Sequence, residues 1–274
     1  MIEVSKFEKF IKKPIVLVVG IALFTLSSLI TVSDGIRLIW DYANRSVREK
    51  QYWYENINKL ATETNAKYFE SILGSPVYIN SYSNGTLNLK EYIFVNNFFY
   101  VQAIIDDSDK IIGYSVTTRD PSFNPPVPIA RYEANDLFLG KTSFLDIRKE
   151  FGNPSWLISY LGAHDLFYSE GYYFGNIEGY QTFYLSMSLA GYINLDDGKY
   201  MTPPDYQSHI TPSLNSSHDL TEVAEFLETN TNIVNTYTVL SPFISAADVA
   251  LIRNKNPGIY LFGPDYNQVR LLNK

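Results

Sequence analysis

From Pro14 to Ser33 the chain carries no charged residue, and Ile15 to Ile30 is mostly Ile, Leu, Val, Ala and Phe. At about 1.5 Å per residue such a run crosses a hydrocarbon core of roughly 30 Å, so the pattern predicts a transmembrane helix over 14–33. A cleaved signal peptide is the rival reading, with an apolar core of about 7–15 residues and a small-x-small cleavage site. Here the run ends Leu29-Ile30-Thr31-Val32-Ser33-Asp34-Gly35, without an Ala-x-Ala pattern, which favours an uncleaved single-pass anchor. Lys6, Lys9, Lys12 and Lys13 form a basic tail over 1–13, while Arg37, Arg45, Arg48 and Lys50 lie mostly further from the span. Positive charge near a membrane stays cytoplasmic, so the remainder is expected on the extracytoplasmic side, although the two counts are nearly balanced.

Past the apolar run, Ile39, Tyr42, Ala43, Val47, Tyr54, Ile57 and Leu60 recur at helical spacing and predict a stalk helix over 34–63. Its apolar stripe either packs on the chain's own domain or pairs with a second stalk, and the irregular heptads do not favour pairing. An internal repeat follows. Residues 66–76 align with residues 144–154, with apolar residues one, five and eight positions before Gly74 and Gly152. Each glycine suits the left-handed position beyond a helix, and Pro76 and Pro154 stop its continuation. Ser143 and Asp146 resemble a capping box at the start of the second copy.

Strand-like segments follow each copy: Val77–Tyr82, Glu91–Ile105 and Ile111–Thr118 after the first, with a hairpin signal at Asn84-Gly85. Trp156–Tyr160, Leu166–Tyr168, Tyr172–Phe174 and Tyr180–Leu189 follow the second. Further on, a helix is predicted from Asp219 to Leu227, a strand over Asn232–Leu240, a capped helix over 245–253 and a strand over 259–262, with 265–272 left open. The expected organisation is a first helix–sheet module at 64–120, a proline-marked linker at 121–141, a second module at 142–199 and an extension at 200–274. The fold class is α+β: tandem helix-plus-antiparallel-sheet modules with a small α/β C-terminal extension, behind the membrane and stalk helices.

Composition narrows the function. Residues 1–40 hold five Lys/Arg against three Asp/Glu, and 41–274 hold 17 against 26, so an acidic domain makes nucleic acid a poor partner. With no cysteine, disulfides, thiolate metal sites and cysteine nucleophiles are excluded. The Asp106–Lys110 turn lacks the glycine and terminal glutamate of a calcium loop. Neither a Gly-x-Ser-x-Gly elbow, a Walker loop nor a dinucleotide fingerprint occurs, so no cofactor or metal is expected. His164 and Asp165 are the catalytic alternative, a hydrolase drawing carboxylates from elsewhere. The binding candidates are Tyr172, Tyr173, Phe174 and Tyr180, an aromatic run that is either core or an exposed surface for a protein or glycan partner.

Residues 62–192, through the helix–Gly-x-Pro–hairpin pattern, resemble the tandem modules of the β-lactamase-inhibitor-protein-like class. The small outer-membrane assembly lipoproteins belong to the same class. The chain departs from those lipoproteins in having no lipid-bearing cysteine. Tyr172–Asn176, Asn235–Val239 and the 265–271 segment are also similar to an uncharacterised bacterial membrane-anchored family, a domain of unknown function. The expectation is a non-catalytic, membrane-anchored binding or scaffold protein.

Overall fold

A computed structural model describes residues 40, 47–83, 88–129, 137–161, 166–175, 179–193, 225–244 and 262–270. The expected membrane span at 14–33, the Asn84-Gly85 turn and the helix at 245–253 lie outside them. Among the described residues, no helix is long and apolar enough to cross a membrane. The chain divides into two units, Met1–Trp53 and Tyr54–Lys274. In the first, residues 47–53 are helical. In the second, residues 54–57 end a helix, and Ile57 and Leu60 are buried.

The repeat produces two matching helices, α1 (Ala66–Leu73) and α2 (Phe144–Phe151), each of eight residues. Asn65 caps α1 by accepting from the Tyr68 N–H at 2.8 Å. Ser143 caps α2 by accepting from the Asp146 N–H at 3.1 Å, and its hydroxyl donates to the Asp146 carboxylate at 2.6 Å. The glycines take φ 86° and ψ −168° at Gly74, and φ 78° and ψ −165° at Gly152. That is not the left-handed helical well expected from sequence but an extended region essentially reserved for glycine. It turns the chain directly into a strand, and each first strand begins four positions later, at Tyr78 and Trp156.

Eight strands form one antiparallel sheet: β1 (Tyr78–Ser83), β2 (Asn88–Val95), β3 (Phe99–Ile105), β4 (Ile111–Thr118), β5 (Trp156–Leu161), β6 (Leu166–Tyr173), β7 (Thr182–Ser188) and β8 (Thr236–Leu240). Their order is β1-β2-β3-β4-β8-β7-β6-β5, so each helix precedes four strands and the two halves meet at β4 and β8. The strand expected within the C-terminal extension is thus the fourth strand of the second half. It joins both halves into one sheet.

Two predicted strand boundaries are corrected. Glu91–Ile105 is not one strand: Asn96 and Asn97 turn the chain between β2 and β3, with the Asn96 side chain accepting from the Phe98 N–H at 3.0 Å. Leu166–Tyr168 and Tyr172–Phe174 are not two: β6 runs through Gly171, where a Cβ would stand 2.8 Å from the Tyr184 ring and 3.1 Å from Trp156. Within the proline-marked segment 121–141, Phe123 is buried and stacks against Tyr54, Phe98 and Phe99 at 4.6, 5.3 and 5.4 Å. The segment at 265–272 left open from sequence contains α3 (Tyr266–Arg270).

One sheet face carries the aromatic core under the helices. Phe69 of α1 meets Tyr114 at 5.6 Å, and Phe144 of α2 meets Tyr168 edge-on at 4.7 Å. Tyr114 and Tyr237 join the halves edge-on at 6.3 Å.

A Cβ on Gly74 or Gly152 would meet nothing within 4 Å, so substitution there tests the backbone alone. Gly152→Ala is expected to lower unfolding stability by about 1–3 kcal/mol in urea denaturation, the cost of a glycine-only conformation. An unchanged midpoint would show the turn relaxing freely.

Candidate functional site

Paired residues on antiparallel neighbours share a face. The register therefore assembles, opposite the helices, one row of Gln102, Ser115, Thr238 and Tyr184 and another of Tyr100, Thr117, Thr236, Ser186 and Ser169. A third row holds Asn80, Glu91, Ile104, Gly113, Leu240, Thr182 and Tyr173. Such a concentration of hydroxyls, amide and carboxylate is unlike an ordinary core, and Glu91, Gln102 and the hydroxyl residues of the first two rows are buried. Their polar atoms are mostly matched: Ser115 donates to Gln102 Oε1 at 3.2 Å, Thr236 to Thr117 Oγ1 at 2.9 Å, and Ser169 and Ser186 hydroxyls lie 2.7 Å apart. Thr238 Oγ1 is buried without a partner.

What lies over this face is the chain's own segment 262–270. Phe262 enters a cluster of Leu89, Ile104, Tyr184 and Leu240, its ring 4.5 Å from that of Tyr184. The Gly263 N–H donates to Gln102 Oε1 at 3.1 Å, and Gln268 Nε2 donates to Glu91 Oε2 at 3.1 Å. Val269 packs with Tyr100 and Ala190. The orientation of both amides is fixed elsewhere: Gln102 Oε1 accepts from Gly263 and Ser115, and Gln268 Oε1 accepts from the Asp265 N–H at 3.0 Å. Their NH2 groups therefore both point at Glu91, Gln102 donating to Oε1.

Glu91 is nonetheless pushed up to about 7, because burial penalises its charge more than the hydrogen bonds from Gln102, Gln268 and Asn80 favour it, and nearby Asp265 adds repulsion. A second buried acid, Glu170, lies on the helix side. It pairs with Arg148 of α2 and accepts from the Tyr168 hydroxyl at 2.5 Å and the Tyr172 hydroxyl at 2.6 Å. Burial raises the Glu170 carboxyl, with the Arg148 charge opposing, while burial and the facing carboxylate hold both phenols well above their ordinary range. The Arg148–Glu170 pair ties α2 to β6.

The aromatic run predicted from sequence divides between roles. Tyr172 is buried on Glu170, and Phe174 packs against Phe151 at 5.1 Å. Tyr173, on the hydroxyl-lined face, and Tyr180, in the β6–β7 turn, are 47% and 53% exposed. Tyr180 also holds a left-handed φ of 62°, uncommon for an aromatic residue. His164 and Asp165 lie outside the described residues, as do His209 and His218. Asp106 closes its own turn by accepting from the Ser108 and Lys110 N–H groups, each at 2.9 Å. Among the described residues, no group of three His, Asp or Glu is placed to hold a metal. Glu91 and Gln102 were missed. The signal for Glu91 was present, since it alternates with Leu89 and Ile93 on one strand face.

No protein-family model matches the chain, and no curated protein matches it. Among solved structures, a Streptococcus mutans protein provisionally named a β-lactamase inhibitor protein is similar at 16% identity and a TM-score of 0.26, over 51% of this chain and 90% of that one.

Because the folded Glu91 holds its proton to a higher pH than the unfolded chain, its stabilising effect is complete below about pH 4.5 and disappears as pH rises through about 7. The loss is of the order of 3 kcal/mol. Glu91→Gln is expected to flatten unfolding free energy across that window, and an equal slope in both proteins would refute the assignment. Arg148→Met is expected to lower stability by about 3–5 kcal/mol, leaving a buried acid unpaired. Adding Glu170→Gln is expected to recover part of it, as read from a double-mutant cycle in urea.

Proposed function

We propose that this chain is a non-catalytic binding or scaffold protein, anchored in a membrane by residues 14–33 with its sheet domain on the extracytoplasmic side. Its partner is a protein. The observation that carries the reading is the hydroxyl- and amide-lined sheet face, which already holds polypeptide through the Gly263 N–H and the Gln268 side chain. Side chains that accept and donate outside the sheet ladder suit recognition of a second backbone, and buried ones act only when matched. Tyr173 stands at the rim of this face and Tyr180 on the adjoining turn, where exposed tyrosine supplies contact area with a hydrogen-bonding tip.

The test is site-specific photo-crosslinking of the full chain in intact membranes. A benzophenone residue at position 173 or 180 is expected to give discrete protein adducts. One at Ile79, exposed on the opposite edge strand, is expected to give none. The adducts are expected to stay with the membrane after carbonate washing. Equal labelling from all three positions, or none from 173 and 180, would remove the binding reading, and release by carbonate would remove the anchor.

A further inference from the structure

We infer that residues 262–269 are a resident occupant of a peptide-binding groove, and that the partner segment that replaces them is a polypeptide carrying an aromatic residue followed directly by glycine, with a helical turn beyond it as in α3. The inference deepens the binding reading above and rests on it. Three observations carry it.

First, the segment is attached as a ligand would be. Among the described residues it meets the sheet through side chains: the Gly263 N–H donates to Gln102, Gln268 donates to Glu91, and Phe262 and Val269 pack on the face. Second, the groove reads two adjacent features. The apolar cluster at Tyr184 and Leu240 takes the Phe262 ring. The next position admits only glycine, because a Cβ on Gly263 would stand 3.0 Å from Thr117 Oγ1 and 3.3 Å from Thr236 Cγ2, at a φ of 109°. Any replacement segment meets the same two constraints in the same order. Third, the fit is incomplete. Thr238 Oγ1, in the row between the Phe262 cluster and the Gly263 contacts, is fully buried and unpartnered. A buried hydroxyl left unmatched is a cost that a better-fitting segment removes.

Tethering gives the resident segment an effective concentration of the order of millimolar, so an outside peptide binds the intact groove weakly. The experiment follows from this. A fluorescein-labelled peptide with the sequence of residues 259–271 is titrated into the full chain and into full-chain Gly263→Val, whose own segment no longer fits. The variant is expected to bind the peptide at least about tenfold more tightly than the unmodified chain. The same peptide carrying Phe262→Ala or Gly263→Val is expected to lose that binding.

A folded variant that binds no peptide overturns the inference, as does one that binds all three peptides equally. If Gly263→Val fails to fold, hydrogen exchange of the unmodified chain decides. The Gly263, Gln268 and Val269 amides are expected to exchange at least about a hundredfold faster than those of β4 and β8, because the occupant opens while the sheet stays closed. Equal rates would make the segment a core element and end the proposal. Adducts at positions 173 and 180 alongside that failure would leave a binding protein that uses the rim only, so the two readings fall separately.

Discussion

The pairing of β8 with β4 on one side and β7 on the other is the contact on which the rest of the fold depends. Each half contributes a helix and strands, but among the described residues the second half has three strands in close succession, and its fourth comes from Thr236–Leu240. Ser115 and Thr238 face each other at this joint, and Tyr114 and Tyr237 close it on the helix side. Without β8, β4 and β7 would each present unpaired backbone groups, and the hydroxyl rows would lose their centre.

The two faces of the sheet handle buried polarity differently. On the helix side, Glu170 has a guanidinium and two phenols around it, so its charge is answered by charge and by strong donors. On the other side, Glu91 has only neutral amides, which orient it without supplying a counter-charge. The first arrangement suits a permanent joint between helix and sheet. The second suits a contact whose strength varies near neutral pH, and it lies where the C-terminal segment crosses.

Much of the architecture was legible because it is local. The helix positions, their caps, their terminating glycines and most strand cores follow from spacing and turn chemistry within about ten residues. The boundaries that failed did so for tertiary reasons. Gly171 resembles a break until Tyr184 and Trp156 are seen to occupy the space above it. Asn96-Asn97 lay hidden in an apolar run buried on both faces, where alternation disappears. The hydroxyl face was invisible for another reason, since its residues come from seven strands and acquire meaning only through register. Of the aromatic run, strand alternation puts Tyr172 and Tyr173 on opposite faces, but only the structure shows that Tyr172 serves Glu170.

The long interval between β7 and β8 has a consequence for how the protein is made. A ribosome delivers Ser188 well before Thr236, at about 5–20 residues per second. Until β8 arrives, the nascent chain holds two half-sheets with open inner edges, β4 and β7, each rich in β-branched and aromatic residues. Such edges pair readily with one another out of register or with neighbouring chains. Closure is therefore a late, long-range event that local structure cannot hasten.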